Sequence, residues 1–202
     1  MNATARSDAL VLFGGTGDLA RRKIYPALLA LVGSGVLDVP VVVVAHSDLD
    51  AARLRDYVRA SLRGDERLDD GVFAKLAPLL RYVRGDYREA PTYEALRTVL
   101  AECHRPLYYL AIPPAAFPAV IERLGDTGNV NAARVVVEKP FGRDLATAQA
   151  LNRTLHRVFA EHAIFRIDHY LGKEAVQNLF ISASRTLSSS RSSIATTLRA
   201  CS

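Results

Sequence analysis

The feature that most constrains this chain is a short apolar run, Ala9 to Phe13, that ends directly on Gly14-Gly-Thr-Gly-Asp-Leu-Ala20. Past the glycines the sequence becomes apolar-periodic through Leu28, Leu29 and Leu31. A five-residue apolar run bounded by glycine predicts a buried strand, and the periodic stretch predicts a helix. Gly15, Gly17 and Ala20 fit the G-x-G-x-x-A dinucleotide fingerprint. That pattern needs a tight turn, close approach of backbone to a pyrophosphate, and close packing of helix on strand. Amides at the start of the helix would hold the phosphates. Gly14, Gly15, Thr16, Gly17, Asp18 and Leu19 are therefore candidate coenzyme-binding residues. A glycine turn without a ligand is the bland alternative; the strand–turn–helix context favours the dinucleotide.

The rest of the chain repeats the alternation. Val41 to Ala45 predicts a second buried strand, and its end is where such a fold meets the adenosine ribose. An acid there favours the free 2′-hydroxyl and a cation favours a 2′-phosphate. The sequence places His46, Ser47 and Asp48 at that point. Histidine is only partly charged near neutral pH and lacks the guanidinium fork. Ala51 to Leu62 and Asp69 to Leu76 predict helices, and Leu79 to Val83 a strand followed by Gly85-Asp-Tyr87. Thr92 begins a helix with Tyr93, Leu96, Val99, Leu100 and Cys103 as its core stripe, which assigns Cys103 to packing. Leu107 to Ile112 predicts a strand closed by Pro113-Pro114, and Arg134 to Glu138 a strand followed by Lys139-Pro-Phe-Gly142. A lysine at a strand's C-terminal end could reach both cofactor and substrate. Asp144 caps a helix through Leu145, Ala148, Leu151, Leu155 and Val158. Ile164 and Phe165 predict a last short strand. About six alternations of strand and helix predict an α/β fold: a doubly wound, mainly parallel, Rossmann-like sheet.

Composition narrows the function classes. Half of the 202 residues are hydrophobic, enough for a sizeable core. No apolar run is long enough to span a bilayer, and no signal peptide is visible, so no membrane partner is expected. Two cysteines, Cys103 and Cys201, form no disulfide framework, which fits a reducing cytoplasm. The five histidines show no metal-ligand spacing, and no metal is expected. The net charge of +5 draws on Arg185, Arg191 and Arg199, with no acid after Glu174. The body of the chain has no basic stripe with interleaved aromatics, so nucleic acid is not expected.

A second dense feature is Arg166-Ile-Asp-His-Tyr-Leu-Gly-Lys-Glu174. Its position after a strand, with Gly172 breaking the chain before a possible helix, places His169 and Lys173 where α/β sheets hold ligands. Paired cations there suit a phosphate or phosphosugar. A solvated charged turn is the competing reading.

This nine-residue stretch resembles the substrate-binding signature of the glucose-6-phosphate dehydrogenases. Gly14-x-x-Gly-Asp-Leu-Ala-x-x-Lys23-x-x-Pro26, Gly85-Asp-Tyr87, Leu110-Ala-x-Pro-Pro114 and Glu138-Lys-Pro-Phe-Gly142 resemble that family too, collinearly over about residues 9 to 180. The resemblance implies oxidation of glucose 6-phosphate to a lactone with hydride transfer to NADP, in the oxidative pentose phosphate pathway. It implies that His169, Tyr170, Lys173 and Lys23 bind the substrate phosphate, and that Lys139 touches sugar and nicotinamide. It places Asp86 and Tyr87 beside the cofactor, and gives Asp168 the task of orienting a general-base histidine that this chain does not contain. His46 stands where the family usually has arginine, so NAD is an alternative coenzyme. Another nicotinamide-dependent sugar oxidoreductase sharing Glu-Lys-Pro, or a non-catalytic dinucleotide-binding module, are the competing functions. The family's second domain, which carries the base and the dimer interface, is missing from the sequence. Residues 1–180 are thus expected to form a dinucleotide-binding domain. Residues 181–202, rich in Ser, Thr and Arg, are expected to be a disordered tail. Codons can be chosen for Ser182 to Ser202 that, read from the third base of the first, encode Arg-Phe-Ala-Asn and then Glu-Pro-Leu. The family's next segment reads similarly, so an out-of-frame tail is expected.

Overall fold

The computed structural model of the chain describes residues 6–64, 68–128, 130 and 132–167. Six strands form one sheet: β1 (Ala9–Phe13), β2 (Val41–Ala45), β3 (Leu80–Arg84), β4 (Pro106–Leu110), β5 (Arg134–Glu138) and β6 (Ile164–Ile167). Their order is β3-β2-β1-β4-β5-β6, and every pairing is parallel. A parallel sheet needs crossover connections, and these place helices on both faces, so its central strands are apolar throughout. Val41-Val-Val-Val-Ala45 and Ala9-Leu-Val-Leu-Phe13 are buried at every position.

Side-chain alternation divides the core between the two faces. Val11, Phe13, Val42, Val44, Tyr108, Leu110, Val135 and Val137 point to one face. There they meet α4 (Ala90–Val99), α5 (Phe117–Asp126) and α6 (Leu145–Val158) through Tyr93, Leu96, Phe117, Ile121, Leu124 and Leu155. Leu10, Leu12, Val41, Val43, Tyr109 and Val136 point to the other face. That face is covered by α1 (Tyr25–Gly33), α2 (Ala51–Ser61) and α3 (Asp70–Leu76) through Leu28, Leu29, Leu54, Val58, Phe73 and Leu76. The sheet is therefore doubly wound, with the strand order reversing between β1 and β4.

Several boundaries differ from the sequence expectation. β4 ends at Leu110, because Ala111 donates to the Phe13 carbonyl and then turns into Pro113. β3 is displaced by one residue and closes on Arg84. α4 starts at Ala90, with Pro91 in its first turn, where a missing N–H costs nothing. It ends at Val99, so Cys103 lies beyond the helix but still packs against the core. α5 had no sequence expectation behind it; Phe117, Val120, Ile121 and Leu124 give it a clear apolar stripe. The helix after the glycines contains a π-helical segment, Ala20–Ile24, before α1. Asp50, Asp69 and Asp144 cap α2, α3 and α6, each accepting from a backbone N–H three residues on.

Candidate coenzyme and substrate site

The C-terminal ends of all strands lie along one edge of the sheet, and ligands of open α/β sheets bind at that edge where the strand order reverses. Gly14, directly after β1, has φ +82°, a conformation that disfavours any side chain. A Cβ there would stand 2.2 Å from the Ala111 carbonyl oxygen. Gly15 is buried, and its Cβ would stand 2.4 Å from Val43 Cγ1. The tight turn thus belongs to Gly14, and Gly15 allows the loop to lie on β2. Gly17 is exposed, with only the Gly14 carbonyl oxygen near the position of its missing Cβ, at 3.2 Å. It is the glycine whose open side faces outward. Ala20 is fully buried and provides the close packing of helix on strand.

Hydroxyl groups fix this loop from below. Tyr25 donates to the Gly15 carbonyl at 2.6 Å, and Tyr57 donates to the Thr16 carbonyl at 2.7 Å. Ser47 Oγ and Thr16 Oγ1 are 3.0 Å apart, which ties the end of β2 to the loop. Burial raises the Tyr25 hydroxyl far above its ordinary value, so it remains a donor. The helix that follows opens at Asp18, and Gly17 before it has no side chain with which to cap it. Its first amides are the orphan donors of any helix start, and Asp18 beside them pairs with Arg21 at 3.0 Å. An uncapped helix start behind an outward-facing glycine fits a pyrophosphate.

The adenosine end is built from β2 and β3. His46 is exposed, and its ring meets the edge of Tyr87 with centroids 4.6 Å apart. Tyr87 also packs edge-on against Phe13, and its hydroxyl reaches the Val44 carbonyl at 3.4 Å. Burial raises the Tyr87 hydroxyl to about 12, opposed by hydrogen bonding with the Gly14 backbone. Asp86 is occupied locally: its carboxylate accepts from the Arg88 amide at 2.8 Å and its carbonyl accepts from Thr92 Oγ1 at 2.7 Å. Asp48 pairs with Arg84 at 2.7 Å.

The substrate end is built from β5 and β6. Glu138, the last residue of β5, is buried and accepts a short hydrogen bond from the Tyr109 hydroxyl. Lys139 follows, exposed at the sheet edge and joined to Pro140 by a cis peptide. Its backbone N–H donates to the Ile167 carbonyl at 3.2 Å, so the chain leaves β6 beside Lys139. Arg166 braces β6 against α6 by bonding Asn152 at 2.6 Å and Glu161 at 2.9 Å. Lys23 is exposed on the π-helical segment behind the glycine loop. Asp168, His169, Tyr170 and Lys173 lie outside the described residues, as does the segment 181–202. Among the described residues no cluster of metal-ligating side chains occurs, and no helix is long and apolar enough to cross a membrane.

With this geometry in view, the comparison with known proteins is specific. A family model described as "Glucose-6-phosphate dehydrogenase, NAD binding domain" matches residues 11–178. The chain belongs to the glucose-6-phosphate dehydrogenase family. It is 44% identical over 173 residues to glucose-6-phosphate 1-dehydrogenase 1 of Mycobacterium tuberculosis, covering 86% of this chain and 37% of that one. The fission yeast Schizosaccharomyces pombe enzyme is 39% identical over 184 residues, with 85% and 37% covered. Among solved structures, glucose-6-phosphate 1-dehydrogenase from Mycobacterium avium superposes with a TM-score of 0.79 at 40% identity, over 86% of this chain and 38% of that one. A glucose-6-phosphate dehydrogenase in complex with glucose 6-phosphate superposes with a TM-score of 0.75 at 34% identity, over 89% and 40%. The chain thus spans well under half the length of the relatives it matches.

Sequence reasoning named the glycine loop, His46, Tyr87 and Lys139, and the fold brings all of them to one edge of the sheet. It missed Tyr25, Tyr57, Tyr82 and Ser47, which hold the loop and the end of β2. Their hydroxyls act over separations of 10 to 41 residues, so no local pattern marks them.

Proposed function

We propose that the protein to which this chain belongs oxidises glucose 6-phosphate to 6-phosphogluconolactone with NADP, and that this chain supplies the coenzyme-binding part. The carrying observation is that the glycine loop and Lys139 share one sheet edge, where the last residue of β6, Ile167, accepts from the Lys139 amide. Bound NADP would supply the acceptor for the hydride from C1 of the sugar. The loop Gly14 to Leu19 holds its pyrophosphate, and His46 and Tyr87 lie at its adenosine end. Lys139 reaches between nicotinamide and sugar. Lys23, His169, Tyr170 and Lys173 neutralise the substrate phosphate. Asp168 orients the histidine that removes the proton from the C1 hydroxyl. That histidine is not in this chain, since His169 is its last and is assigned to phosphate. A cytoplasmic location and loss of the family's dimer contacts from this chain accompany the reading, with residues 182–202 translated out of frame.

The test is NADPH formation from glucose 6-phosphate. A missing general base costs about 10²- to 10⁴-fold. Lost sugar contacts add to that, so the purified 202-residue chain should turn over far below the ~10 per second usual for an enzyme. Restoring the shifted frame after codon 182 should recover activity, and Asp168→Asn should then lower it again. Turnover near ~10 per second by the 202-residue chain would place the base within it and overturn the assignment. Nucleotides around codon 182 incompatible with the second frame would overturn the origin given to the tail.

A further inference from the structure

The family's arginine is absent at the end of β2, yet the structure holds a guanidinium at the same end of the sheet. β2 and β3 pair with Ala45 opposite Arg84, so Arg84 is the last residue of β3 and stands beside the last residue of β2. Its side chain reaches forward, past the strand end, to Asp48 Oδ1 at 2.7 Å. Of the two residues between Ala45 and Asp48, Ser47 is tied to the coenzyme loop. His46 meets Tyr87, and Ser47 Oγ meets Thr16 Oγ1. Tyr82 donates to the Ser47 carbonyl at 2.6 Å and clamps this turn onto β3. Arg84 is therefore carried to the ribose end of the coenzyme site by a rigid register and a fixed turn.

We propose that Arg84, held by Asp48, supplies the cation that recognises the adenosine 2′-phosphate and so sets the choice of NADP over NAD. This rests on the coenzyme reading given above. The pair is exposed, with side-chain accessibilities of 60% and 78%, so it adds little to stability and leaves the guanidinium open to a ligand. One guanidinium N–H serves Asp48, out of five that the fork carries. Asp48 alone would repel a 2′-phosphate and favour a ribose diol. Paired with Arg84, its charge is cancelled and it acts as a bracket for the arginine. A planar fork also matches phosphate oxygens better than the His46 imidazole does.

The experiment is a titration of the 202-residue chain and its variants with NADP and with NAD separately. A lost charge-assisted hydrogen bond corresponds to about tenfold or more in affinity. Arg84→Gln should weaken NADP by at least about tenfold while leaving NAD binding nearly unchanged, which also shows that the variant is folded. Asp48→Asn, which weakens the bracket that holds Arg84, should weaken NADP by less than Arg84→Gln does and leave NAD nearly unchanged. Arg21→Gln, which removes the guanidinium paired with Asp18, should leave the NADP-to-NAD ratio in place. An unchanged ratio in Arg84→Gln, or a ratio that moves with Arg21 instead, would overturn the assignment of Arg84 alone. Binding of neither dinucleotide by the unaltered chain would overturn the coenzyme reading and this inference with it.

Discussion

At the scale of single residues, the coenzyme loop is defined by what its glycines leave out. Gly14 has φ +82° and the Ala111 carbonyl oxygen 2.2 Å from where a Cβ would stand. Both the conformation and the clash involve backbone, which cannot rotate aside. Gly14→Ala should therefore destabilise the chain by at least about 1–3 kcal/mol. An unchanged urea midpoint would show that the turn is not constrained as described. His46 makes the opposite case, because it is exposed and touches only the Tyr87 ring among its described aromatic neighbours. A change there alters recognition rather than folding. His46→Arg should raise the affinity ratio of NADP to NAD, since a planar guanidinium fork, which can grip phosphate oxygens bidentately, replaces an imidazole that cannot. An unchanged ratio would mean that position 46 does not reach the 2′-phosphate.

At the scale of elements, the sheet edge is positioned by helices with defined starts. α6 begins with a capping box: Asp144 accepts from the Thr147 amide at 2.8 Å, and Thr147 Oγ1 accepts from the Asp144 amide. The Thr147 backbone bond, with the Thr147 hydroxyl behind it, holds the Asp144 carboxyl below its ordinary value. Asp50 at the start of α2 is held low by the Arg53 amide in the same way. A folded-state value below the unfolded one gives stability that is fully present above the ordinary carboxyl range. That contribution is lost as pH falls through the lowered folded value. Asp144→Asn should thus reduce the difference in thermal midpoint between neutral pH and acid, and an identical pH dependence would contradict the cap. The Asp144 cap was legible in the sequence, because an aspartate before an apolar period is a local signal. So were the buried strands β1, β2 and β5, whose central residues are all Val or Leu. The two-residue overrun of β4 was not legible, because Ala111 and Ile112 are apolar but follow the turn toward Pro113. Nor was the pairing of Arg84 with Asp48, which depends on β2 and β3 being neighbours rather than on anything within either strand. The Arg166 to Glu174 stretch read most clearly in sequence, and from Asp168 onward it lies outside the described residues.

At the scale of the whole molecule, one doubly wound sheet places the glycine loop, His46, Asp86, Tyr87 and Lys139 at its C-terminal edge, with Lys23 on the helix behind the loop. The family match over residues 11–178 coincides with that sheet and with the stretch that follows it. The central claim is that this edge is a dinucleotide site organised on the Gly14 to Leu19 loop. Gly17 offers the cleanest test, because its missing side chain faces outward and approaches only the Gly14 carbonyl oxygen, at 3.2 Å. Gly17→Asp should spare the fold while putting a side chain and a negative charge where the pyrophosphate must lie. The measurement is a calorimetric titration of NADP into the 202-residue chain and into Gly17→Asp, with the thermal midpoints of both recorded. The account predicts saturable one-to-one binding to the first and none to the second, at similar midpoints. Undiminished binding by Gly17→Asp, or no binding by the unaltered chain, would contradict it.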